Sequence, residues 1–295
     1  MRLSSLRRQR GFTLVEMVVA MVIIGIVAAM AAVFISAPVR SYLDTAARVE
    51  LADAADTATR RIARDVRLAL PNSVRISGNG QYLELLLTKT GGRYLAQGDA
   101  VPGNVLKFEG DPLQANATVF DIVGAAPTGV QAIRAGDFIV VNNLGGTPPV
   151  EAYNCNAKCN RATVASISGN TITLSANPFL DPTMQAMPSQ SNRFQVVTTP
   201  VTYFCAPNIN GRGTLQRFSG YPIQVTQPLN AAAEPLVNAS VSGQLAGQVA
   251  ECSFALGQLA NVQRGLITIN LTLGAANSSG GQVRLMQQVQ VNNTP

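Results

Sequence analysis

Glu16 is the one charged side chain between Gly11 and Arg40. It stands at the front of a long apolar run, where a carboxylate costs about 2.5–3.5 kcal/mol at the centre of a membrane helix and less near its edge. One reading keeps Glu16 wet at the membrane interface by snorkelling. The other gives it a cationic partner. A cut after Gly11 would free the amine of Phe12, and that amine on a neighbouring chain is a suitable counter-charge.

The remaining chemistry-bearing residues point away from catalysis. The chain has no histidine, which excludes Ser-His-Asp and Cys-His catalysis and histidine-ligated metal. Its three lysines, Lys89, Lys107 and Lys158, are outside any Ser-x-x-Lys setting. No glycine-rich run in strand-then-helix order suggests a phosphate loop, and no acidic cluster suggests calcium. Asp99, Asp111, Asp121 and Asp181 read as turn residues. No catalytic residue, cofactor or metal is therefore expected.

Four cysteines, Cys155, Cys159, Cys205 and Cys252, all lie in the later half. An even count in an exported domain reads as two disulfides. Proximity favours Cys155–Cys159 and Cys205–Cys252, although four cysteines allow three connectivities. A four-thiolate metal site is the rival, and the irregular spacing speaks against it.

The elements that must position Glu16 follow from the apolar pattern. Residues 12–35 are long enough to span a bilayer as one helix. The stretch is too long for an ordinary secretory signal core and continues in helical register; an uncleaved signal anchor is the alternative. Arg2, Arg7, Arg8 and Arg10 precede it, whereas Arg40 and Arg48 behind it are offset by Asp44 and Glu50. The positive-inside rule then puts the N-terminus in the cytoplasm and the larger part in the periplasm. The formal charge is +6, from 22 basic and 16 acidic residues; without those four leader arginines it falls to +2. The basic balance thus belongs mostly to the leader, and nucleic acid is not expected as the primary partner.

The residues Arg10-Gly11-Phe12-Thr13-Leu14-Val15-Glu16-Met17, followed by an apolar helix, resemble the prepilin leader of type IV pilins and pseudopilins. The resemblance implies cleavage between Gly11 and Phe12 by prepilin peptidase. It also implies N-methylation of Phe12, and neutralisation of that amine by Glu16, within one subunit or between two, during assembly. The implied partners are the peptidase, other pilin subunits through the N-terminal helix, and the inner-membrane assembly platform.

Beyond Pro38 the pattern becomes amphipathic. Leu43, Ala47, Leu51, Ala55, Ala58, Ile62, Val66 and Ala69 recur at helical spacing, and Arg48, Asp53, Asp56, Arg60, Arg61, Arg64, Asp65 and Arg67 fall on the charged side. Asp56–Arg60 is an i,i+4 pair in the favourable order; Arg61–Asp65 has the weaker order. Pro38 should kink the helix and Pro71-Asn72 end it. The arginines at 60–67 read as a solvated face, with a partner-facing surface as the alternative. The stretch from Pro38 to Leu51 and on through Arg60–Arg67 to Leu70-Pro71-Asn72-Ser73, about residues 38–76, is similar to the large O-type minor pilin of MSHA (mannose-sensitive haemagglutinin) pili. J-type pseudopilins of type II secretion and W-type minor pilins share the general plan.

After about Val74 strand patterns dominate: 81–88, 137–142, 161–166, 171–175, 194–199, 201–205, 266–273 and 282–291, with turn signals at Gly78-Asn79-Gly80, Gly91-Gly92, Gly169-Asn170, Gly211-Arg212-Gly213 and Gly280-Gly281. Gly169-Asn170 marks a hairpin, a second joins 201–205 to 213–218, and Pro200 marks a break between strands. Residues 228–247 read as a surface loop.

The expected fold is α+β and pilin-like. A cleaved leader, 1–11, precedes a transmembrane and filament-core helix, 12–37, and its amphipathic continuation, 38–70. A β-rich head, 71–295, carries an elaborated insertion at about 111–192. The expected function is that of a non-enzymatic minor pilin or pseudopilin. It acts in initiation, tip priming or adhesion of an MSHA-type pilus, first at the inner membrane and then on the cell surface. A type II secretion pseudopilus subunit and a DNA- or surface-binding tip pilin are the alternatives; a periplasmic enzyme on a signal anchor has no catalytic constellation to support it.

Overall fold

A computed structural model describes residues 11–112, 117–145, 151–156, 159–258, 264–275 and 281–292. Helix α1 runs from Leu14 to Arg67 without interruption at Pro38. The chain divides into a unit ending at Glu50 and a unit from Leu51 onward.

The first unit holds the apolar part of α1, whose most apolar 18-residue window has a mean hydropathy of 3.0. In length and composition it suffices to cross a membrane.

In the second unit the remaining turns of α1 pack on an antiparallel sheet. Its strands are β1 (Arg75–Ser77), β2 (Tyr82–Tyr94), β7 (Arg193–Ala206), β8 (Gly213–Ser219), β9 (Val241–Gln258), β10 (Arg264–Leu273) and β11 (Val283–Asn292), paired in that order. Ala55, Ala58, Ile62 and Val66 project from the helix into a core with Leu83, Tyr203, Phe254 and Ile269. Two of these four helix residues are alanine, which lets the backbone approach the sheet closely. Leu43, by contrast, is exposed, so burial of the amphipathic face starts near Leu51. The helix stops at Arg67 rather than near Leu70, because the Leu70 N–H is committed to the Leu86 carbonyl at 2.7 Å.

The far halves of β2 and β7 serve a second structure. β2 pairs with β3 (Val119–Val123), β3 with β6 (Thr171–Leu174), β6 with β5 (Arg161–Ser168), β5 with β4 (Phe138–Val140) and β4 with β7. Because β2 also pairs with β7, these strands form a closed ring of six. Its interior is filled by Tyr94, Phe120, Ile139, Ile172, Phe194 and Val196. Residues 118–197 thus supply much of a second core.

Three readings of breaks and loops need correction. β7 passes straight through Pro200. One edge of β7 pairs with β4 at residues 195–197 and with β8 from Val201, so Pro200 lies in the gap between two partners. On the other edge it faces Leu86, whose N–H is taken by Ser73 Oγ and whose carbonyl is taken by Leu70. No ladder bond at that position needs the missing proline N–H. Gly91-Gly92 is not a turn either. β2 continues through it, and a Cβ on Gly91 would sit 2.9 Å from the Phe194 carbonyl oxygen, so glycine here permits close approach within the ring. Finally, residues 241–247 belong to the eighteen-residue β9. The segment before them packs Tyr221 and Leu236 against Tyr82 and Phe218, on the sheet face away from α1.

The Gly169-Asn170 hairpin forms as expected, with Ser168 opposite Thr171 and Gly169 at φ +57°. The β7–β8 hairpin also forms.

Candidate functional site

The start of α1 is built by a reciprocal pair. The Glu16 N–H donates to Thr13 Oγ1 at 3.3 Å, and the Thr13 N–H donates to Glu16 Oε2 at 3.5 Å. This is a capping box: Thr13 caps the helix and Glu16 occupies the third helical position. Thr13 was overlooked as a positioning residue, although the Thr-x-x-Glu signal stands in the sequence. Glu16 therefore serves its own helix start, where the dipole favours negative charge.

Around this start the chain is open. A Cβ added at Gly11 would meet nothing within 4 Å, and Phe12 is 82% exposed. Every large apolar side chain from Leu14 to Ile35 is at least half exposed. An apolar surface of this extent, carrying one carboxylate, requires lipid or other apolar helices to cover it. Gly11, Phe12 and Glu16 thus share one short accessible segment, suited to recognition by another protein.

The predicted cysteines lie elsewhere, in bonded pairs. Cys155 is joined to Cys159 between β4 and β5, and Cys205 to Cys252, linking β7 to β9 across β8. Among the described residues no cluster of three His, Cys, Asp or Glu side chains exists to hold a metal.

Two buried carboxylates went unrecognised in the sequence. Asp65 points into the head rather than along the charged face, where Tyr203 donates to it at 2.7 Å and Arg217 Nε at 2.9 Å. Burial, then the Asp65 charge, raises the Tyr203 phenol well above its ordinary value. Glu84 is fully buried on the opposite sheet face and accepts from Arg75 Nε at 2.6 Å and Tyr221 at 2.9 Å. Arg75 also donates to the Gln224 and Val225 carbonyls, tying the covering segment down. In both places charge joins one element to another. Asp99, Asp111 and Asp181 accept local backbone N–H bonds as turn residues do. Asp121 differs, accepting from the Asn104 N–H at 2.8 Å and from the hydroxyl of Thr171, its partner on the neighbouring strand β6, at 2.7 Å.

A sequence model of the prokaryotic N-terminal methylation motif matches residues 6–32. No curated protein and no solved structure matches the chain. The matched motif, the apolar helix that follows it and the antiparallel sheet under that helix's later turns support a type IV pilin-like protein.

Proposed function

We propose that the chain is a minor pilin of an MSHA-type type IV pilus, cut between Gly11 and Phe12, methylated on Phe12 and assembled through α1. The observation that carries this reading is the methylation motif running directly into an exposed apolar helix with Glu16 as its one charge. Cleavage turns Phe12 into a cation beside that carboxylate. The pair then lowers the cost of placing each charge among apolar helices. Prepilin peptidase, neighbouring pilins and the inner-membrane assembly platform are the partners this requires. The MSHA assignment rests on the likeness of residues 38–76.

The six-stranded ring goes beyond what a sheet packed on a helix needs. It suits a subunit of initiation, priming or adhesion better than a plain shaft subunit. In this reading 1–11 is the leader, 12–37 the membrane and filament-core helix, and the head is displayed in the periplasm and then outside the cell. The test is to follow the chain in cells lacking either an MSHA-type or a type II secretion assembly ATPase. Loss from sheared surface filaments only without the MSHA-type ATPase is expected. Dependence on the secretion ATPase alone would assign the chain to a pseudopilus.

A further inference from the structure

Arg93 on β2 and Arg193 on β7 stand directly opposite each other, and two residues along Gly91 stands opposite Gln195. Phe194 fills the interior of the ring, so strand alternation turns Arg193 and Gln195 to its outer surface. There Gly91, Arg93, Arg193 and Gln195 line a cleft of about 350 Å³. Gly91 leaves the wall opposite Gln195 without a side chain. The start of β7 is fixed by Asn192, at φ +55°, whose carbonyl accepts from the Tyr94 N–H at 2.8 Å.

The charges in this cleft do not balance. Like charges placed opposite each other in an antiparallel pair repel. Asp99 pairs with Arg93 at 2.5 Å and is itself held by the Ala96 N–H at 2.8 Å. Arg193 is exposed and has no carboxylate partner among the described residues. Two guanidiniums and one carboxylate leave one positive charge in excess. Gln195 also lacks a contact: its Oε1 is buried with no hydrogen-bond partner, which costs stability. A turn of that side chain presents the oxygen to the cleft it lines.

We propose that this cleft binds an acidic sugar residue, with its carboxylate held by Arg193 and Arg93 and a neighbouring hydroxyl donating to Gln195. One excess positive charge suits a singly charged anion, and a planar carboxylate matches the fork of a guanidinium. The orphan acceptor calls for a donor beside that charge. A uronic-acid type of sugar carries hydroxyls there, whereas the phosphodiester backbone of DNA has none. Ligand sites run from about 300 Å³ upward, so the cleft admits a single sugar residue of a longer chain. The inference rests on the adhesion reading of the head and gives it a site and a ligand class.

The test titrates the full-length, detergent-solubilised chain with oligogalacturonate, with its carboxyl-reduced neutral counterpart and with a single-stranded DNA oligonucleotide. Oligogalacturonate alone should bind. Arg193→Gln should weaken that binding by more than about tenfold, as loss of a charge-assisted pair does, and Gln195→Ala should weaken it by less. Arg212, exposed in the turn between β7 and β8, lies beyond the other end of β7, and Arg212→Gln should leave binding unchanged. Arg193→Gln should also leave the unfolding midpoint in place, because the residue holds no carboxylate in the described head. A midpoint that falls along with binding would make Arg193 structural and overturn the proposal. So would an equal loss from Arg212→Gln, equal binding of the neutral sugar, DNA bound through Arg193 in place of the acidic sugar, or no binding of oligogalacturonate. Absent sugar binding by a chain that is cut after Gly11 and enters filaments would remove the site and leave the pilin reading intact. A chain never cut would remove the adhesion role, whatever the sugar does.

Discussion

Asp65 on α1 and Arg217 on β8 form a buried ion pair, with Arg217 Nε and Nη2 each 2.9 Å from the same Asp65 oxygen. It fixes the later turns of the helix to the middle of the sheet. Removing one partner leaves an uncompensated buried charge, which typically costs about 3–5 kcal/mol. Asp65→Ala and Arg217→Ala should each show a loss of that size in denaturant unfolding of the detergent-solubilised chain. Asp56→Ala, which breaks only the exposed pair with Arg60, should leave the midpoint in place. An equal effect from Asp56 and Asp65 would contradict this account of the helix–sheet joint.

The same residue shows where sequence reasoning stops. The methylation motif, the apolar helix and the faces of Ala55, Ile62 and Val66 were legible because each depends on neighbours within a turn or two of chain. Asp65 carries an ordinary helix charge by spacing, and only the fold brings Tyr203 and Arg217 to it. Pro200 and Gly91-Gly92 looked like breaks because proline and glycine usually are. Their strands continue because β4 and β8 leave a gap at Pro200 and the Phe194 carbonyl closes on Gly91. β9 escaped notice because its Gln, Gly, Ser and Ala residues carry little strand signal until β8 and β10 flank it.

Glu84 should give the head a distinctive pH response. Burial raises its carboxyl above the ordinary 4.5, against the opposing pull of Arg75 and the Tyr221 hydrogen bond. Above the ordinary value the folded state therefore holds more proton than the unfolded chain. Its stabilising contribution is complete below that value and is lost as pH rises through the raised one. Denaturant midpoints of wild type and Glu84→Gln, compared from about pH 4 to pH 8, should show the wild type losing ground to the variant as pH rises. A growing wild-type advantage would mean that Arg75 outweighs burial.

The two disulfides should differ in worth. Loop-closure entropy assigns about 4 kcal/mol to Cys205–Cys252 and about 2 kcal/mol to Cys155–Cys159, from separations of 47 and 4 residues. Replacing Cys205 and Cys252 together by serine should lower the unfolding temperature more than the same change at Cys155 and Cys159. The reverse order would show that the small loop has a larger part in holding the ring.

Glu16 has two separable duties, capping and charge. Glu16→Gln keeps a capping-box side chain and removes the charge. If the charge serves assembly, Gln and Ala variants should insert in the membrane normally and both fail to enter filaments. Normal incorporation of the Gln variant would reduce Glu16 to its cap.

The central claim is that the chain is cut between Gly11 and Phe12 to make an assembly-competent start. Intact-mass and N-terminal peptide mass spectrometry of the chain purified from its own cells tests it most directly. The account predicts a first residue of Phe12 carrying one methyl group on its amine. A chain that still begins at Met1, or one that begins beyond Phe12, would contradict it.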